Sequence, residues 1–433
     1  MSAIADHDPK ITWRGRLTTG SRTPSFPSHC AGVREWVLVA GDFHRTGGMD
    51  RANAEFAAYL CSIGATVHLV SFRVDADLAA RPNVQVHQAT RIAGAHSLAR
   101  HRLDRLGRAV AAAVIARSPG ARVLVNGVNC DWPDINWVHF VHQEWLSPRP
   151  GAPLWFKLKH RLEGWAKSRQ ELRVLSGARV LIANSERTRT DLIRDVAVAP
   201  DRVRTVYLGC GPEWKSVTPA RRTAARAALG AVSDRPLVAF VGAFGHDARK
   251  GFDTLWSAWR SLCARPDWDA DLMVAGGGRA LPRWRAEIAR AGLASRVRLL
   301  GFTDRVNDVI ASADLLVSPV RYESYGLNVQ EALASGIPAI VSRSAGIAER
   351  YPVELNDLLL PDPDDVHDLA MRLLRWRASI EQCKQRIAPL AATLRAWTWQ
   401  DMAAQIAAVA ESTADVPAPA AAPPGIGIAG VSL

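Results

Sequence analysis

Short runs of Val, Ile and Leu alternate along this chain with amphipathic stretches of ten or more residues. Such alternation is typical of the strands of a parallel sheet and the helices that connect them. The alternation starts afresh at residue 237, so we expect two successive sheets. The predicted strands are 36–41, 66–72, 122–126, 137–141 and 179–183, then 237–242, 271–275, 296–300, 314–318 and 338–341. The predicted helices are 48–63, 97–117, 154–175, 185–196, 252–264, 282–291, 304–312 and 326–335.

This order of elements predicts an α/β protein with two doubly wound, Rossmann-like domains. Gly209, Gly211 and Pro212 break the pattern and mark the seam. Open parallel sheets bind ligands beyond the carboxyl ends of their strands, so we expect the chemistry in a cleft between the two sheets. The predicted segments are a disordered start at 1–33, domains at 34–212 and 213–396, a last helix at 397–411 and a disordered tail at 412–433.

Composition places the chain among ordinary globular proteins, because 48% of its 433 residues are apolar and 22% are charged. Fibres, disordered proteins and small disulfide scaffolds are thereby excluded. No run reaches the roughly 18 apolar residues of a membrane span, and the start has no apolar signal region, so we expect a cytoplasmic protein. The six cysteines include no C-x-x-C pair and are expected to be buried free thiols.

The net charge of +12 favours anionic partners in general. Only seven of the 54 basic residues are lysines, and the arginines are spread along the whole chain. The excess therefore reflects composition more than a binding patch, and we expect no nucleic-acid partner.

The segment from Ser318 to Glu349 is the most informative part of the sequence. A predicted strand ends at Ser318, and Gly326 stands where the next helix begins. The N–H groups and the dipole at a helix start favour an anion such as a phosphate. Glu323 precedes this start and Glu331 follows it on the helix, so the two carboxylates can hold groups on either side of a diphosphate, the layout of a nucleotide sugar. The plain alternative is a solvated loop Glu and a helix-surface Glu.

Two glycine-containing loops are further candidates. Gly242 follows the strand at 237–242, and the adjacent cations Arg249 and Lys250 come shortly after it, where they could stabilise a departing diphosphate. Gly47 and Gly48 open the helix after the first strand and would allow an anion or an acceptor to approach closely. Ordinary connecting loops are the alternative for both. Neither has the G-x-G-x-x-G spacing of a nicotinamide-binding loop.

Histidine and aspartate residues complete the candidates. His142 lies at the cleft end of the strand at 137–141, with His139 as the second choice, and an ordinary packed or surface histidine is the alternative for both. Asp75 and Asp77 form the one D-x-D motif after a strand that could hold a divalent ion, but a turn is the preferred explanation because Asp residues are common in loops. Asp267-x-Asp269 precedes a strand instead of following one. We therefore expect no metal and no cofactor.

The helix at 154–173 carries an apolar stripe beside basic residues. Packing against its own sheet accounts for the stripe. Contact with an anionic membrane surface is the alternative, and it would place the protein at the inner face of the membrane.

The segment 318–349 resembles the E-x7-E region of the retaining GT-B glycosyltransferases of family 4, and the resemblance extends over most of 36–411. It implies that Glu331 holds the donor ribose and that Glu323 holds a hydroxyl of the donor sugar. The amides near the diphosphate would be those of Ser324, Tyr325, Gly326 and Leu327.

The resemblance also assigns roles to the other candidates. Lys250-Gly251 matches the end of the family's phosphate-binding loop, with Arg249 as the second cation, although Ala243 stands where the family often has an Arg. Gly47 and Gly48 would face the donor phosphates, and a histidine, best His142, would contact the donor sugar. The last helix would cross back onto the first domain.

The expected function is therefore a retaining, metal-independent GT-B glycosyltransferase. It would move a sugar from a nucleotide-diphosphate donor to a glycan or lipid-linked acceptor, in a bacterial polysaccharide or cell-envelope pathway. Two alternatives stay open: a non-catalytic GT-B-like protein that binds an anionic lipid or polymer, and a metal-dependent GT-A-type transferase that uses Asp75 and Asp77. The donor sugar, its base, the acceptor and the oligomeric state are not specified by these residues.

Overall fold

The structure is a computed structural model, and it describes the greater part of the chain. The described residues are 34–91, 96–142, 168–231, 234–245 and 247–413. The predicted disordered start at 1–33 lies outside these residues, as does the predicted disordered tail at 412–433 except for Ser412 and Thr413, which end the last helix. Of the basic helix predicted at 154–173, residues 154–167 lie outside the described residues, and so does its membrane alternative.

The first sheet is parallel throughout and has the strand order β5-β3-β1-β6-β7-β8-β9. A separate parallel pair joins β2 to β4. The strands are β1 (Glu35–Val39), β2 (Asp42–Phe43), β3 (Thr66–Ser71), β4 (Arg73–Val74), β5 (Val84–Gln88), β6 (Arg122–Asn126), β7 (Ile135–Val138), β8 (Val180–Ala183) and β9 (Val203–Thr205). The helices of this half are α1 (Met49–Ser62), α2 (Ala76–Ala79), α3 (His96–Arg117), α4 (168–177) and α5 (Glu186–Asp195).

The second sheet is also parallel, with the order β12-β11-β10-β13-β14-β15. Its strands are β10 (Leu237–Val241), β11 (Asp271–Ala275), β12 (Val297–Gly301), β13 (Leu315–Ser318), β14 (Ala339–Ser342) and β15 (Leu359–Leu360). The helices of this half are α6 (Pro219–Ala228), α7 (Phe252–Cys263), α8 (Leu281–Arg290), α9 (Val306–Ser312), α10 (Leu327–Ala334), α11 (Val366–Ala378), α12 (Ile380–Ala396) and α13 (Trp399–Ser412).

Each sheet contains a point at which the strand order reverses. In the first sheet it lies between β1 and β6, and in the second between β10 and β13. Ligands of doubly wound sheets bind beyond the carboxyl ends of the strands at such points. The loops that follow β1, β10 and β13 are those that carry the glycines and charged residues singled out in the sequence.

Aromatic side chains fill the first core. Phe56 of α1 packs edge-on against Trp36 and Trp137, with ring centroids 5.5 and 6.1 Å apart. All three rings are fully buried, and burying an aliphatic or aromatic side chain stabilises a fold by about 1.5–3 kcal/mol. The helix that carries Phe56 thereby holds the Gly47–Gly48 loop at the carboxyl edge of the sheet.

Helix α13 follows the second sheet in sequence but packs against α1 and the first sheet. Its capping box, in which the side chains of Thr398 and Asp401 bond each other's backbone N–H, fixes where it begins. The Arg122 guanidinium of β6 donates to the Ala410 carbonyl near its end. Gly209 makes room for the start of α13, because a Cβ there would lie 2.5 Å from the Trp399 backbone.

Where one domain ends and the next begins stays a prediction.

One predicted strand needs correction. The strand expected at 137–141 runs from Ile135 to Val138, because its pairing with β8 ends at Ala183. Beyond that point the His139 carbonyl accepts a hydrogen bond from the Ser324 hydroxyl instead of from a strand. His139 and His142 therefore lie in a loop after the strand and not at its end.

Candidate functional site

The carboxyl edges of the two sheets meet where the sequence placed its candidates. Gly48, at the start of α1, lies so close to α10 that a Cβ on it would be 3.2 Å from Leu327 Cδ1. Gly47 has a φ of +97°, a conformation that favours glycine. The paired glycines thus let the first sheet approach the start of α10 closely.

Helix α10 begins as predicted, with Gly326 as its N-cap at a φ of +114°. A Cβ at this position would lie 3.0 Å from Ile347, so both the dihedral angle and the space favour glycine. The first N–H groups of a helix lack acceptors within it. The amides from Gly326 onward therefore form a positive terminus suited to phosphate.

The flanking residues Tyr325 and Ser324 are buried and serve the framework. The Tyr325 hydroxyl donates to the Gln330 side chain, and the Ser324 hydroxyl donates to the His139 carbonyl. Any contact of these two residues with the sugar donor therefore comes from their backbone, as the resemblance implies.

Lys250 and Glu323 form an ion pair beside this helix start. Lys250 Nζ donates to Glu323 Oε2, although the two residues lie in loops after different strands. Gly251 permits the approach: it has a φ of +70°, and a Cβ there would lie 1.8 Å from the Pro319 carbonyl oxygen. Two predicted site residues that are 73 positions apart are thereby in direct contact.

Arg249 extends across the cleft. Its guanidinium carbon lies 5.0 Å from the ring centroid of Phe140, which belongs to the first half. Phe140 in turn packs edge-on against His142 at 4.9 Å. The predicted second cation and the predicted histidine therefore flank one aromatic ring.

Arg321 is a residue of this site that the sequence did not reveal. Its backbone N–H donates to the Arg249 carbonyl at 2.9 Å, and its guanidinium binds the Ala248 carbonyl and both oxygens of Asp253. Only 7% of its side chain is exposed. Arg321 thus ties the loop of Lys250 to the loop of Glu323. No short motif could have shown this, because the residues that it binds in the loop of Lys250 and at the start of α7 lie about 70 residues away.

Gly242 supports the site from below. Its N–H donates to the Ala275 carbonyl at 3.0 Å, and its own carbonyl lies 1.8 Å from where a Cβ on Gly276 would stand. The missing side chain makes room for Lys250, whose Cβ and Cγ would lie 3.2 Å from a Cβ on Gly242, and a contact of Gly242 with the sugar donor stays a prediction.

His142 is held by a buried acid. Glu171 accepts from the His142 backbone N–H at 2.9 Å and bonds its Nδ1 at 3.0 Å. With Nδ1 committed to the carboxylate, Nε2 is the ring nitrogen left for a ligand. Glu171, from α4, is a further residue that sequence reasoning missed.

His139, the second choice, is in a different environment. Its ring is buried against Trp137, with centroids 4.4 Å apart, and burial lowers its pKa to about 3. Within the described residues its Nε2 has no hydrogen-bond partner. A neutral, buried ring of this kind is suited to framework packing, so His142 stays the better candidate.

Glu331 lies on α10, facing the first sheet near Arg51. Burial raises the pKa of its carboxyl to about 8, although Arg51 acts to lower it and Glu213 to raise it. Arg51 also pairs with Glu213 and lies 5.3 Å from the ring centroid of Trp399. The predicted ribose-binding carboxylate therefore has a cation from the first half close to it.

The raised pKa of Glu331 predicts how stability depends on pH. The pKa is about 8 in the folded protein against an ordinary 4.5, so the carboxyl disfavours folding increasingly as the pH rises through this window. We expect Glu331→Gln to match the wild type near pH 4.5 and to be more stable by roughly 4 kcal/mol at pH 8. Urea unfolding across this pH range measures the free energy of unfolding of both proteins, and Glu354→Gln, at an exposed position, is the control. An unchanged pH dependence in Glu331→Gln would contradict the assignment.

Two groups of acids bear on metal binding. Asp75, the N-cap of α2, accepts from the Arg45 N–H at 2.9 Å, and Asp77 within α2 pairs with the Arg45 guanidinium at 3.1 Å, so both already bind the loop before α1. Asp42, His44 and Asp50 each offer a ligand atom within 4.8 Å of the others. Arg91 already donates to both Asp42 oxygens at 2.9 Å. A cation at this second group would compete with that guanidinium for Asp42.

Comparison with known proteins gives the family. Residues 46–214 match the model described as Glycosyltransferase Family 4, and residues 235–378 match the one described as Glycosyl transferases group 1. The chain thus contains a glycosyltransferase family 4 domain followed by a glycosyl transferases group 1 domain. The resemblance noted in the sequence is thereby confirmed. No helix of the described residues is long and apolar enough to cross a bilayer.

Individual relatives match in part. A D-inositol 3-phosphate glycosyltransferase of Saccharomonospora viridis is 34% identical over 216 residues, which are 47% of this chain and 49% of that protein. The chain thus spans about half the length of the curated relatives it matches.

Solved structures match over a greater length. Sucrose-phosphate synthase from Thermosynechococcus elongatus gives a TM-score of 0.69 at 19% identity, over 87% of this chain and 98% of that one. HepE of Anabaena, in complex with UDP and glucose, gives 0.62 at 18% identity, over 87% and 99%. The likenesses confirm the predicted GT-B fold with two Rossmann-like domains.

Proposed function

We propose that this chain transfers a sugar from a nucleotide-diphosphate donor to a glycan or lipid-linked acceptor, with retention at the anomeric carbon and without a metal ion. The observation that carries the proposal is the Lys250–Glu323 ion pair beside the Gly326 terminus, faced by Gly48 across the cleft. The site has cations and a helix terminus, which favour a diphosphate. A carboxylate lies beside them, where it could bind the hydroxyls of a sugar joined to that diphosphate.

The charges divide between the two ends of such a donor. Lys250 and the amides from Gly326 onward neutralise the diphosphate as it departs, and Arg249 adds a second cation. Glu323, once Lys250 turns to the phosphate, accepts a hydrogen bond from a sugar hydroxyl. Glu331 binds the ribose hydroxyls. Charge-assisted hydrogen bonds such as those of Lys250 and Glu323 contribute about 1.5–3 kcal/mol each.

Retention requires the acceptor to approach on the face that the leaving group vacates. We propose that the departing phosphate oxygen takes the acceptor proton on that face, so that no protein carboxylate need form a covalent intermediate. His142 contacts the donor sugar through Nε2. The cations of the site supply the charge that a divalent ion supplies in other transferases. The fold and the UDP and glucose bound to HepE support the donor class and leave the acceptor open.

A panel of nucleotide sugars tests the function directly. Binding to the folded state raises the melting temperature, so we expect one base and sugar combination to stabilise the protein selectively. Incubation of that donor with oligosaccharide and lipid-linked acceptors, followed by proton NMR, should show a product with the donor's anomeric configuration. EDTA should leave the rate unchanged. An inverted product rejects retention, loss of activity in EDTA supports a metal-dependent transferase, and binding without turnover supports a non-catalytic binding protein.

A further inference from the structure

The start of α5 is completed by a side chain from the other half of the molecule. The backbone N–H groups of Glu186 and Arg187 donate to the two oxygens of Glu349, at 2.7 and 3.1 Å. Ser185, the N-cap, takes the third N–H, that of Thr188, at 3.0 Å. Glu349 follows β14 of the second sheet, whereas α5 belongs to the first. A carboxylate at a helix N-terminus satisfies N–H groups and opposes the positive end of the dipole.

The segment that carries Glu349 also holds the loop at which the donor is expected. The N–H of Gly346 donates to the Glu323 carbonyl at 3.0 Å, and the N–H of Ile347 donates to the Tyr325 carbonyl at 2.7 Å. Ile347 also limits the space around Gly326. One short segment thus contacts the loop before α10 through its backbone and α5 through its carboxylate.

Side chains around Glu349 make this contact specific. The Tyr207 hydroxyl lies near the Glu349 carboxylate, and Arg350 lies 4.5 Å from the Tyr207 ring centroid. Gly346 is pressed between the halves, since a Cβ there would lie 2.2 Å from the Ser324 carbonyl oxygen and 2.8 Å from Ser185. A shift of the loop at 323–326 would therefore be transmitted to α5.

We infer that Glu349 is a positioning residue that couples occupation of the loop at 323–326 to closure of the two halves around it. An anion at Gly326 fixes this loop, the loop fixes the segment 345–349, and Glu349 then holds α5. The inference takes its ligand class from the proposed function, but closure can be measured without any transfer.

Hydrogen exchange of the full chain tests the coupling, with inorganic pyrophosphate as the probe. In the wild type, pyrophosphate should slow exchange both at 324–328 and at the Glu186 and Arg187 amides, by about tenfold at each place. In Glu349→Ala, the protection at 324–328 should stay while that at α5 is lost. Glu349→Gln, which keeps one acceptor oxygen, should restore part of it.

Glu354→Ala is the matched control, because it removes an exposed acid five residues further on. It should behave as the wild type. Any of three results overturns the inference. The protection of α5 survives in Glu349→Ala, it is lost equally in Glu354→Ala, or it is missing from the wild type. If Glu349→Ala does not fold, Glu349→Gln is used for the test. Protection of α5 equal to that in the wild type would then contradict the inference. If the coupling is observed but no sugar is transferred from any donor, the proposed function is rejected and the inference about Glu349 stands.

Discussion

Replacing Lys250 by alanine is expected to lower turnover by about two to three orders of magnitude, the scale observed when a preorganised donor to a developing negative charge is removed. Lys250 is the cation paired with Glu323 beside the start of α10. Its loss leaves the departing diphosphate to Arg249 and the helix terminus. Because Lys250 is only 22% exposed, its charge acts in a partly desolvated site where it counts for more than in water.

The measurement is steady-state turnover with the donor that the panel selects, together with a melting curve to show that the variant folds. Lys215→Ala is the control, since Lys215 is exposed and lies outside the cluster around Gly326. It should retain wild-type turnover. A folded Lys250→Ala protein with near wild-type turnover would remove Lys250 from the mechanism.

Replacing Arg321 by alanine is expected to lower turnover by about a hundredfold, although Arg321 is not assigned a contact with the donor. A displacement of about 1 Å in a catalytic group has an effect of this size. Without Arg321, the loop of Lys250 loses its hydrogen bonds to the guanidinium, and Asp253 loses a bidentate partner. We also expect the free energy of unfolding to fall by about 1–3 kcal/mol.

Arg321→Lys separates charge from geometry. A lysine keeps the positive charge but cannot bind the Asp253 carboxylate through two parallel N–H groups, so it should recover only part of the turnover. Arg290→Ala, an exposed arginine at the end of α8, controls for loss of charge alone. Unchanged turnover in Arg321→Ala at equal donor concentration would show that Lys250 is positioned without this tie.

The sequence predicted those parts of the fold that depend on continuous apolar runs. Strands β10, β11 and β13 are buried on both faces and were found within one residue of their ends. Strand β5 was missed because it lies at an edge of the sheet, where Val84–Gln88 alternates with polar residues and is largely exposed. Helices α11 and α12 were missed as well, and α12 contains Pro389, which argues against a helix in a reading of the sequence.

The residues of the candidate site likewise divide into those that the sequence could predict and those that it could not. Glycines with a required conformation and charges beside a helix start have local signatures, so Gly326, Glu323 and Lys250 could be singled out. The structure brings them together, and their roles in binding a donor stay predictions. Arg321, Glu171 and Glu349 have no such signature, because each acts through a partner about 30 to 160 residues away. Contacts over that distance follow from the packing of the sheets and not from residue spacing.

A crystal structure of the complex with the nucleoside diphosphate of the selected donor tests the central claim most directly. The diphosphate oxygens should lie within about 3 Å of Lys250 Nζ and of the Leu327 N–H, with Glu331 at the ribose hydroxyls. The Gly47–Gly48 loop should face the diphosphate from the other sheet. A diphosphate bound elsewhere, with Lys250 still paired to Glu323 and the start of α10 vacant, would contradict the account.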